Sequence, residues 1–138
     1  MTRKRFTFAL RVALAIGFCI DVYVAALSLF APQLIPPLLD IPVHDPALAQ
    51  LAGGEYVVAA LVYLLAFRDP VRFRLLLWIC ALDQAFAVVL PALEVARGQI
   101  PAGWKIVAPI PLSALLAAVY AVGAARPGVK RSATPSMQ

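Results

Sequence analysis

Three acidic residues stand where acid chemistry is expensive. Asp21, Glu55 and Asp83 each interrupt a long apolar run, in the segments FCIDVYV, GGEYVVA and CALDQAF. A carboxyl group can bind a donor, hold a cation or relay a proton, and surroundings of low polarity strengthen each of these interactions. An acidic side chain at the centre of a membrane span costs about 3 kcal/mol, so three would cost about 9 kcal/mol, comparable with the stability of a whole domain. All three are therefore expected to turn inward to one polar pocket or to meet donor groups on a partner subunit. The alternative is that each bonds separately across a tight helix interface.

Their depths agree. At the helical rise, Asp21 lies about 15 Å from Arg11, Asp83 about 14 Å from Arg74 and Glu55 about 18 Å from Phe67. Tyr63 shares the helix face of Glu55 and Ala59, while Ser113 and Tyr120 are the polar side chains of the last apolar run. The candidate ligand-binding set is Asp21, Glu55, Tyr63, Asp83 and Ser113. Gln84 points about 100° away from Asp83 on a helix and is not expected to need the same pocket. No catalytic residue, metal ligand set or cofactor is expected. Cys19 and Cys80 read as small apolar side chains, and the single histidine, His44, reads as an exposed loop residue with Asp40 as a weak metal partner.

The elements that must position these residues are four apolar stretches, at about 6–31, 46–67, 70–93 and 104–125. They define an all-α integral membrane bundle, a single domain over 1–126 followed by a solvated or disordered tail at 127–138. Asp45-Pro46 and Asp69-Pro70 are helix-start signatures, with Asp capping free N–H groups and Pro at the first helical position. Pro109 and Pro111 are expected to kink or interrupt the fourth span. In the first span Ala9, Ala13, Gly17, Asp21 and Ala25 recur every four residues, a small-residue stripe suited to close helix packing. Leu14 is placed on the lipid side.

Composition supports the same solvent. Hydrophobic residues make up 63% of the 138, only 14% are charged, and the mean hydropathy is +0.89, which excludes an ordinary soluble domain. Ten of the twelve basic residues flank one side of the spans, at Arg3, Lys4, Arg5, Arg11, Arg68, Arg72, Arg74, Arg126, Lys130 and Arg131. Arg97 and Lys105 fall on the other side, so both termini are expected in the cytoplasm, with the chain in the inner membrane. The net charge of +5 is explained by topology and anionic lipid, and no nucleic-acid partner is expected. A cleaved signal at the N-terminus is disfavoured by Asp21 and by the apolar run that continues to Phe30.

The segment GGEYVVAALVYLLAFRDPVRFR, following the loop LIPPLLDIPVHDP, resembles the small four-helix DoxX-like and BphX-like bacterial membrane proteins. That resemblance implies a membrane subunit, some members being associated with quinone-linked oxidoreductases, and it carries over no catalytic motif. The expected function is a non-enzymatic accessory or binding subunit whose acids hold a lipid-soluble ligand or a partner helix. Two alternatives stand beside it: the membrane subunit of a quinone-linked redox system, and a small proton-coupled transporter working as a homo-oligomer.

Overall fold

The structure is a computed structural model that describes residues 3–39, 43 and 45–126. The loop positions Asp40 and His44 and the tail at 127–138 lie outside the described residues. Helix α1 (Arg3–Phe30) is followed by a 3-10 turn (Pro32–Leu34) and the short α2 (Ile35–Leu39). Helices α3 (Pro46–Arg68) and α4 (Arg74–Ala96) form the second and third spans, and α5 (Trp104–Val107) leads into α6 (Pro109–Ala125). Four helical stretches are long and apolar enough to cross a bilayer: Lys4–Phe30, Pro46–Arg68, Arg74–Ala96 and Trp104–Ala125. This is the architecture of a multi-pass membrane protein.

Local chemistry sets the boundaries. The Asp45 carboxylate accepts from the Ala47 N–H at 2.8 Å, with Pro46 at the first position of α3. Asp69 accepts from Val71 and Arg72 at 3.1 and 3.0 Å, but it caps a separate turn, and α4 begins only at Arg74. The end of α4 is a paired turn in which Gly98 N–H reaches the Val95 carbonyl at 3.0 Å and Gln99 N–H reaches Glu94 at 2.9 Å. Gly98 takes φ 70° there, a conformation that suits glycine. In the fourth span the hydrogen-bond ladder is interrupted between α5 and α6, where Pro109 cannot supply an N–H to the preceding turn, while Ala108 keeps helical angles of φ −60° and ψ −35°.

The four long helices close as a ring in the order α1, α3, α4, α6, each antiparallel to its neighbours; α1 packs chiefly on α3, and α4 on α6. One end of the ring carries the starts of α1 and α4 and the ends of α3 and α6. At this termini end the Arg126 guanidinium lies 3.6 Å over the Phe6 ring, and Arg74 Nε donates to the Ala124 carbonyl. At the far end Lys105 Nζ donates to the Pro37 carbonyl at 2.7 Å, joining α5 to α2.

Packing is uneven along the bundle. The apolar core, including Leu10, Leu14, Tyr63, Leu77, Leu116 and Tyr120, fills its termini half. In the far half the long helices bury small or polar residues, Ala25, Ser28, Gly53, Ala60 and Ser113, and α4 buries no residue beyond Gln84, while Ile35, Ile100 and Ile106 are buried where that end closes. Large apolar residues such as Val12, Ile16, Val58, Leu61, Ile79 and Leu82 are exposed around the outside, as a bilayer-facing surface requires. Leu14 does not join them: it is 0% exposed. Because α1 contacts both α3 and α6, its buried arc is wider than the small-residue stripe, and Leu14 falls within it.

Candidate functional site

The site begins with the stripe on α1. Ala13, Gly17, Asp21 and Ala25 are all buried, so the face containing the acid points into the bundle. Gly17 is where two tyrosines pass. A Cβ at that position would lie 2.5 Å from Tyr63 Cε1 and 2.9 Å from the Tyr120 hydroxyl oxygen, so only glycine lets α1 approach them. The tyrosine rings meet edge to face with centroids 5.7 Å apart, and both are fully buried. Tyr120 donates to the Ala13 carbonyl at 2.6 Å, tying α6 to α1. Together they form an apolar floor beneath the acids.

One helical turn above that floor lies a polar layer. Tyr63, on α3, donates to Asp83 Oδ2 on α4 at 2.9 Å, and its oxygen also lies 3.3 Å from the Cys80 carbonyl. Gln84 Nε2 donates to the Tyr63 oxygen at 3.0 Å and to Asp83 Oδ2 at 3.3 Å. The two acceptors on that side dictate that the amide nitrogen, not its oxygen, faces them. Gln84 Oε1 is then left buried and without a hydrogen-bond partner among the described residues. Asp21 approaches from α1, within electrostatic reach of Asp83. It is 3% exposed, and its Oδ2 is the second buried atom without a partner.

No family model, curated protein or solved structure matches this chain. What it can do therefore rests on its own geometry.

The layer brings together three of the residues singled out in the sequence, Asp21, Tyr63 and Asp83. Ser113 is buried on α6, about 10 Å along the helix from Tyr120 toward the far end. Glu55 is exposed on the flank of α3, beside Gly54, where an added Cβ would meet nothing within 4 Å. Among the described residues no group of three His, Cys, Asp or Glu could hold a metal ion.

Two participants were not anticipated. Gln84 lies deeper than its neighbour, 3% exposed where Asp83 is half-buried, and the one-step rotation that separates them turns it toward Tyr63 rather than away from the site. Tyr56, seven residues before Tyr63 on the same face of α3, is 37% exposed and within electrostatic reach of Asp83, Asp21 and Glu55. The spacing of Tyr56 and Tyr63 was the available signal.

Proposed function

We propose that this chain is a non-enzymatic binding or accessory subunit of the inner membrane, with both termini cytoplasmic, whose polar layer holds the head of a small lipid-soluble ligand. The observation that carries this reading is the Asp21 carboxyl group: buried at mid-span, near a second acid, with an unpartnered oxygen. A group contributing only helix packing would be expected to find its donor on the facing helix, because an unpaired buried polar atom costs about 1–3 kcal/mol. The basic residues gathered at the termini end support the orientation, and the DoxX-like resemblance points to the same kind of membrane subunit.

Exposed Glu55 favours a second reading, in which the flank of α3 meets a partner membrane subunit or another copy of the chain. A carboxyl group facing hydrocarbon is costly, and a neighbouring helix could shield it. Native mass spectrometry of the full chain, released from a mild detergent, separates the two. A retained small molecule that is lost in Asp21→Asn supports ligand binding. A retained polypeptide or a dimer lost in Glu55→Gln supports the accessory reading, and a bare monomer contradicts both.

A further inference from the structure

Which molecule suits the polar layer follows from its donors and acceptors. The single Tyr63 hydroxyl hydrogen points to Asp83 Oδ2 at 2.9 Å, and the two Gln84 amide hydrogens are directed at the Tyr63 oxygen and at Asp83 Oδ2, at 3.0 and 3.3 Å. The Tyr120 hydrogen goes to the Ala13 carbonyl at 2.6 Å. The donors of Tyr63, Gln84 and Tyr120 are thus committed. The atoms left over, Asp21 Oδ2 and Gln84 Oε1, are both acceptors, each on a side chain 3% exposed. No Lys or Arg occurs in α1 beyond Arg11, in α3 before Arg68 or in α4 beyond Arg74, so the spans supply no internal cation at this level.

Resting on the binding-subunit reading, we infer that the ligand is a lipophilic amine whose ammonium head bears N–H donors for these two acceptors. To Gln84 Oε1 and an ionised Asp21 an oxidised quinone presents only further acceptors. An alcohol brings one hydrogen for two waiting oxygens and no charge. An ammonium group brings up to three N–H bonds, and its bonds to Asp21 are charge-assisted. Tyr56, 37% exposed on α3 and within electrostatic reach of Asp83, Asp21 and Glu55, offers an aromatic ring to a cation near the acids.

The test uses the full chain in lipid nanodiscs and three compact probes: adamantylamine, adamantanol of nearly the same shape, and duroquinone. Calorimetric titration of the wild-type chain is expected to show saturable binding of the amine, at least about tenfold tighter than either neutral probe. Gln84→Leu and Asp21→Asn are each expected to weaken the amine by about tenfold or more while leaving the neutral probes unchanged. The wild-type comparison alone decides the matter should a variant fail to fold. Tighter, Asp21-dependent binding of duroquinone or adamantanol overturns the amine inference but leaves the binding-subunit reading in place. Saturable binding of none of the three also overturns it, and the mass-spectrometric search for a retained molecule then judges the broader reading separately.

Discussion

Gly17 and Tyr63 are the residues on which the site's geometry turns. Gly17→Ala is expected to lower the melting temperature in detergent, because its Cβ would sit 2.5 Å from a fully buried Tyr63 ring that has no free space to move into; overpacking of this kind costs about 1–3 kcal/mol. Leu14→Ala is expected to cost about 2–5 kcal/mol in the same measurement, since Leu14 is core. The two tyrosines are expected to differ. Tyr63→Phe removes both an acceptor for Gln84 and a donor for Asp83, about 1–3 kcal/mol, whereas Tyr120→Phe removes one bond to a helix carbonyl that already has a backbone partner, about 0.5–1.5 kcal/mol. Equal losses would mean that the Tyr63 network is not formed. At this scale the acids themselves were legible from residue type alone, because a carboxyl group in an apolar run is rare and costly. The burial of Gln84 and the exposure of Glu55 were not, since both depend on rotation about a helix axis, and a nearly uniform apolar sequence gives little indication of which face is inward.

Helix pairing depends on glycines in the same way. Gly53 on α3 meets α1, and a Cβ there would lie 2.8 Å from Leu29 Cγ and 2.9 Å from Ser28 Cβ, while at the adjacent Gly54 it would meet nothing within 4 Å. Gly53→Ala is therefore expected to destabilise the bundle by about 1–3 kcal/mol, and Gly54→Ala to be neutral or stabilising by up to about 1 kcal/mol through helix propensity. Thermal unfolding of the two variants side by side checks this, and a destabilised Gly54→Ala would contradict the lipid-facing placement of that flank. The small-residue stripe of α1 could be read from its four-residue period, and the start of α3 from Asp45-Pro46. The start of α4 could not: Asp69 caps a turn first, and Pro70 belongs to that turn rather than to the helix. Nor did any local pattern reveal that α1 would bury two flanks, which is a property of the ring and not of the helix.

The whole molecule is a ring of four spans whose largest buried side chains lie toward the termini end. Span number and approximate length follow from apolar run length and charge clusters, which is why they are legible without a structure. The order of the ring arises from contacts distant in sequence, such as Gly17 with Tyr63 and Tyr120, and leaves no local trace. Reporter fusions after Arg74 and after the C-terminus are expected to read cytoplasmic, and a fusion at Gln99 external; an external C-terminus would contradict the orientation. The central claim is that Asp21 and Asp83, from α1 and α4, belong to one internal polar site. A double-mutant cycle of Asp21→Asn and Asp83→Asn, read by unfolding in detergent at one pH, measures it directly. A shared site predicts a coupling of at least about 0.5–1 kcal/mol between the two substitutions, and effects that add within error would contradict it, leaving each acid as a separate packing contact.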